Sequence, residues 1–256
     1  MSAAKLGPRT TSLRSLADNT GSRHPTCAVR RVSAPVCHHR HMAYRQPPSG
    51  PPDEREHELA DLADADLHRQ VAGLERATRS NPCVDAILAR AGALGLPGWY
   101  LGAGCITNTV WNLLHGFDPR TGVNDYDLVY FDDADLTADG ERSIEAGAQA
   151  LFADLGVRLD VTNEARVHLW YERRFGRALA PYRSTEHAIS TWPTTASSIG
   201  VRRDAGGFSV CAPFGLRDLF AMVVRANKTV VTRAVYEAKV ERWSTVWPRL
   251  TVVPWD

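Results

Sequence analysis

Asp125-Tyr126-Asp127-Leu128-Val129-Tyr130-Phe131 sets two acids at the mouth of an unbroken apolar run. The length of that run and its β-branched and aromatic content predict a buried strand. Side chains two apart on a strand share a face and lie about 6.6 Å apart along it. Asp125 and Asp127 therefore present carboxylate oxygens to one side, a donor set suited to a hard divalent cation such as Mg²⁺. A solvated strand mouth with two ordinary surface acids is the other reading of the same pair.

Upstream, Trp99-Tyr100-Leu101 is a second strand-type run, ended by Gly102-Ala103-Gly104. A helix follows with Ile106, Val110, Leu113 and Leu114 on one face of a 3.6-residue period. Gly116 is placed to end it in a left-handed conformation, with Pro119 beyond. A glycine turn from strand into helix N-terminus lets backbone N–H groups approach an anion, and it also serves as a plain tight connection. Before it, Leu59, Leu62, Val71 and Leu74 predict a helix broken near Gly73 or at Ser80-Asn81-Pro82. Val84, Ile87, Leu88 and Ala91 predict another.

Downstream, Ile144, Ala148, Leu151, Phe152 and Leu155 mark an amphipathic helix closed by Gly156. Val157-Arg158-Leu159-Asp160-Val161 alternates as a third strand, with Arg158 and Asp160 on its polar face. A helix from Asn163 carries Val167, Trp170 and Tyr171. After a short helix beyond Pro181 comes a hairpin, Ser198–Arg203 with Phe208–Cys211, and then two helices. The last shows Tyr236, Val240, Trp243 and Trp247. Trp111, Trp170, Trp243 and His168 read as core. Alternating helices and strands predict an α/β (α+β) fold, a mixed central sheet with helices packed on it.

Residues 1–52 differ from this body. They hold eight Lys/Arg, one acid and seven of the fifteen prolines, with no Trp or Phe. Such a segment buries too little to offset its ordering entropy and reads as a disordered basic tail. Met42 is an in-frame methionine just ahead of the body, so the chain's true start is expected near 42 or at residue 1. Cys37-His38-His39-Arg40-His41 lacks a second ligand cluster at finger-like spacing. The body, 53–256, is then left with 22 basic and 28 acidic side chains, a net −6. That balance disfavours a polynucleotide partner. No run approaches the roughly 18 apolar residues of a membrane span, and five scattered cysteines suit a reducing, cytoplasmic setting.

Two familiar patterns fail on placement. Gly102-x-Gly104-x-x-Thr107 lacks the third glycine of a dinucleotide fold. Asp125-x-Asp127-x-Val129 has the letters of a haloacid-dehalogenase phosphatase, but its apolar run follows the acids instead of preceding them. A third pattern fits. Strand, glycine turn, helix, a two-carboxylate strand and a later one-carboxylate strand resemble the DNA polymerase β-like nucleotidyltransferase superfamily. Gly98 to Trp255 is similar to a bacterial nucleotidyltransferase-like family within it. The resemblance rests on Gly104–Asn112, Asp125–Asp132, Ala165–Tyr171, Ala212–Leu216 and Trp247–Leu250.

The resemblance implies transfer of a nucleoside monophosphate from an NTP to a small-molecule or protein hydroxyl, with release of pyrophosphate. Asp125, Asp127 and Asp160 take the places of its catalytic and metal-binding carboxylates, holding two Mg²⁺ (or Mn²⁺) roughly 3.5–4 Å apart. Gly102, Gly104 and Cys105 take the nucleotide-binding places; Arg166, Arg173 and Arg174, after the third strand, could meet phosphates or form an ordinary solvated helix face. The sequence departs from the family at Cys105, where Ser is usual and donates a better hydrogen bond. That departure sustains a second expectation, a catalytically silent nucleotide-binding or protein-interaction module that keeps the fold.

Overall fold

The computed structural model describes residues 58–256. The basic tail over 1–52, Met42 and the Cys37–His41 cluster lie outside the described residues.

Asp66 caps α1 (Leu67–Ser80) by accepting from Arg69 N–H at 3.0 Å. The helix runs through Gly73 unbroken, because Leu62 fills the space that a side chain there would take. It stops at Asn81, as one of the two expected breaks proposed. The Asn81 carboxamide accepts from Cys83 and Val84 N–H and so opens α2 (Pro82–Arg90). β1 (Tyr100–Gly102) leads into α3 (Gly104–Leu114), and β2 (Tyr126–Tyr130) follows. Thr137 caps α4 (Ala138–Leu151), whose chain returns through Gly156, left-handed at φ 61°, to β3 (Leu159–Asn163). The third strand thus starts two residues later than its alternation suggested, with its in–out phase kept.

The remainder comprises α5 (Val167–Phe175), α6 (Thr185–Ile189), the hairpin β4 (Gly200–Asp204) and β5 (Gly207–Cys211), and α7 (Arg217–Phe220). It closes with β6 (Val223–Val224), α8 (Arg233–Val246) and β7 (Thr251–Val252). The main sheet has the order β3-β2-β1-β4-β5. β2 and β3 are parallel, joined by the α4 crossover that a parallel pair requires, and the other pairs are antiparallel.

Alternation divides the sheet into two unlike faces. Leu101, Leu128, Val161 and Val201 point into the main core with Leu74, Ile106, Trp111 and Phe152. The opposite face carries only a small cluster, Tyr100, Val129, Ile189 and Trp192. The acids stand on this second face. α8 is held to α3 by aromatic packing: the Trp111 ring lies 5.0 Å from Trp243 and 5.6 Å from Trp247. Trp247 Nε1–H donates to Asn112 Oδ1 at 2.8 Å.

Candidate active site

Register brings the acids together. Asp127 pairs with Gly102 of β1 on one side and with Asp160 of β3 on the other. Register partners share a face, so the Asp127 and Asp160 side chains emerge together; Asp125, expected on the same strand, lies just before β2 begins at Tyr126. The sequence could not show that adjacency. Nor did it anticipate burial: Asp160 is only 6 % exposed. Its Oδ1 accepts from Arg158 Nε–H at 3.2 Å. Arg158 Nη2 also lies 3.1 Å from Oδ2, but misaligned, so Oδ2 has no hydrogen-bond partner among the described residues.

β1 delivers the chain to the α3 N-terminus beside Asp127. Ala103 occupies the N-cap and has no capping side chain; Ile106 N–H donates to the Cys105 sulfur, and the Gly104 and Cys105 N–H groups have no acceptor within the helix itself. A Cβ on Gly104 would meet nothing nearer than Asn108 Nδ2 at 4.0 Å, so this turn is open to an incoming group. Gly102 serves differently. A Cβ there would lie 2.6 Å from the Trp192 ring and 2.8 Å from Ile199 O, so glycine admits that ring. Cys105 is 1 % exposed, and its thiol donates to Gly102 O. Burial, then the charges of Asp127 and Asp125, push the thiol well above its ordinary pKa. It stays a thiol facing inward, and only its backbone N–H is left for an anion.

Two cations escaped the sequence reading. Lys239 and Arg242, three apart on α8, lie within electrostatic range of the acids: Lys239 of Asp125 and Asp127, Arg242 of Asp125. Lys239 Nζ stands 4.5 Å from the Trp243 ring centroid. Burial and Arg242 push its ammonium down to about 8, against the pull of the two aspartates. The i, i+3 spacing of Lys239 and Arg242 just before Trp243 is the one local signal of a shared face. Glu164 was also missed. It follows β3, is 2 % exposed and is pushed up to about 8 by burial and by the charges of Asp127 and Glu141.

Arg166 is not a phosphate contact. It forms a buried ion pair with Glu141, and its Nε–H donates to Leu136 O at 2.9 Å. Arg173 is exposed on α5, and Arg174 lies over the Phe175 ring at 5.7 Å. Trp111 and Trp243 are buried as expected, whereas Trp170 and His168 are half-buried.

The carboxylate oxygens of the Asp127–Asp160 pair are donors of the kind a hard cation takes, although Asp160 Oδ2 already lies 3.1 Å from Arg158 Nη2. Among the described residues, no three His, Cys, Asp or Glu side chains are gathered as a metal-holding set. Asp160 is instead turned toward Arg158.

A mixed sheet with paired carboxylates on its open face, beside an uncapped helix N-terminus, defines a nucleotidyltransferase fold. A nucleotidyltransferase family model matches residues 89–252, and the chain belongs to that family. It is also similar to a structure solved by NMR and described as revealing a CCA-adding enzyme head domain. That likeness has a TM-score of 0.60 and 22 % identity, over 77 % of this chain and 99 % of the other, and it speaks for the fold alone. No curated protein matches the chain. None of the described helices is long and apolar enough to cross a membrane.

Proposed function

We propose that the chain transfers a nucleoside monophosphate from an NTP to a hydroxyl of a small molecule or protein. The observation that carries this reading is the register pairing of Asp127 with Asp160 beside the uncapped start of α3. Backbone N–H groups of Gly104 and Cys105 take the β- and γ-phosphates, where the helix dipole favours negative charge. Lys239 and Arg242 supply the positive side chains that the glycine turn lacks. Asp127 and Asp160, with Asp125 before them, would hold Mg²⁺ or Mn²⁺. When bound, the cation supplies Lewis-acid stabilisation of the charge developing on the transferring phosphoryl group.

The acceptor oxygen forms a bond to the α-phosphorus while the bond to the bridging oxygen breaks, and pyrophosphate leaves. In this reading Asp160 takes the hydroxyl proton. Its present partner, Arg158, has a side chain 46 % exposed, and an exposed partner is readily exchanged for another cation.

Differential melting with Mg²⁺ and each of the four NTPs tests the reading, since a ligand that binds only the native state raises its melting temperature. The parent should be stabilised by at least one NTP and release pyrophosphate. Asp127→Asn should lose both while keeping the fold. Binding without pyrophosphate release would favour the silent module, and no shift with any NTP would refute nucleotide binding itself.

A further inference from the structure

Charge along the acid-bearing face is polarised. Arg242 feels Asp125 alone and Lys239 feels Asp125 and Asp127, so the cations stand at the Asp125 end. The α3 N-terminus stands there too, because Gly102 pairs with Asp127. At the other end β3 stops at Asn163, and Glu164 opens the turn that follows, within electrostatic reach of Asp127. Its carboxyl is buried, and the charges of Asp127 and Glu141 bear on it, so its neutral form, which can donate a hydrogen bond, is favoured. Burial and the charge of Glu164 raise the Tyr182 phenol, and Tyr171 of α5 acts on it too, which ties α5 to this end. On α5 the Tyr171 and Phe175 rings lie 4.6 Å apart, both half-buried. Two enclosed polar atoms flank them without a hydrogen-bond partner among the described residues, His168 Nδ1 and Arg174 Nε.

A triphosphate bound at the cationic end and reacting over Asp127 and Asp160 leaves its nucleoside one direction in which to extend. We propose that the nucleoside of the NTP is held at the Glu164 end, its base stacked on the Tyr171–Phe175 pair and Glu164 its hydrogen-bonding partner. This rests on the nucleotidyl-transfer reading above and adds the subsite that distinguishes a nucleotide from a bare polyphosphate. Stacking on aromatic side chains tolerates any base, because every base has a π-face.

Inorganic tripolyphosphate carries the phosphates without the nucleoside, so the full-length protein is titrated in Mg²⁺ with ATP and with tripolyphosphate. The parent should bind ATP more tightly. Tyr171→Ala should weaken ATP about tenfold, within the range for a lost base stack, and leave tripolyphosphate within twofold. Glu164→Gln, nearly isosteric, should show the same selectivity, and Tyr171→Leu replaces the alanine variant should that one fail to fold. If both ligands bind the parent and these variants alter neither, or alter both equally, the subsite is refuted while the phosphate site stands. A parent that binds neither ligand overturns the nucleotide reading first, and the subsite with it.

Discussion

Asp160→Asn separates a carboxylate held for a cation from one that serves an ion pair. Asp127 and Asp160 are register partners on adjacent strands, whose backbones run about 4.8 Å apart. Two like charges about 5 Å apart repel by about 3 kcal/mol at an effective dielectric constant of 20. Neutralising Asp160 removes that repulsion and also removes the pair with Arg158, which is worth about 0–1 kcal/mol because Arg158 is largely solvated. Asp127 is itself partly open to solvent, which reduces the repulsion further. The expected net effect is a stabilisation of about 1–2 kcal/mol in metal-free buffer, or roughly 3–6 °C for a domain of this size. Added Mg²⁺ or Mn²⁺ should then stabilise the variant less than the parent. Thermal unfolding with EDTA and with millimolar metal reads both effects. An Asp160→Asn protein that melts below the parent in EDTA would show the acid to be a structural partner of Arg158, and the reasoning would fail.

Three further outcomes follow from named groups. Arg166→Met should destabilise the fold by about 3 kcal/mol by leaving the Glu141 carboxylate buried without its cation, and adding Glu141→Gln should restore part of the loss in urea unfolding. A double variant no more stable than the single one would contradict this. His115 accepts from Arg249 N–H at Nε2, so Nδ1 carries the proton given to Trp111 O at 2.7 Å. Burial holds its pKa below the ordinary value, so the unfolded chain binds the proton first and stability falls as pH drops through about 6.5. Chemical denaturation between pH 5.5 and 7.5 should show a slope that His115→Gln flattens; an unchanged slope would assign it to other groups. With its ammonium down to about 8, Lys239 loses charge as pH rises, so Mg²⁺·ATP affinity should fall between pH 7 and 9. Lys239→Met should weaken binding about tenfold, as the loss of one charge-assisted contact does, and should flatten that pH dependence; calorimetric titration decides.

What was legible in the sequence was local. The apolar strand behind Asp125 and Asp127, the glycine turn into α3 and the in–out phase of β3 all declare themselves within ten residues. Even the late start of β3 has a local cause. Gly156 leaves its helix in the left-handed region, and Val157 and Arg158 only approach the sheet, where Arg158 O receives Tyr126 N–H at 3.0 Å. The misreadings concern contacts across long separations. Arg166 was a candidate phosphate contact because it follows the third strand, while the acid that pairs with it, Glu141, lies 25 residues earlier. Nothing in the local sequence marks Glu164, whose burial comes from its tertiary surroundings. Lys239 lies more than a hundred residues from Asp127, and only the packing of Trp243 and Trp247 on Trp111 brings α8 to the site.

That packing bears on the substitution at position 105. Where a serine hydroxyl would reach a phosphate, this chain buries a thiol against Gly102 O, so the glycine turn offers an anion only backbone N–H groups. Backbone dipoles orient an anion, but its full charges are answered best by cations in a site of low dielectric constant. Lys239 and Arg242 can supply that charge only because α8 is docked on α3, the helix whose N-terminus opens the site. The family match runs to residue 252 and so takes in the whole of α8. Under the proposed function the last helix completes the anion site begun at Gly104, and loosening the Trp111–Trp243–Trp247 contact should weaken nucleotide binding without touching a residue that meets the nucleotide.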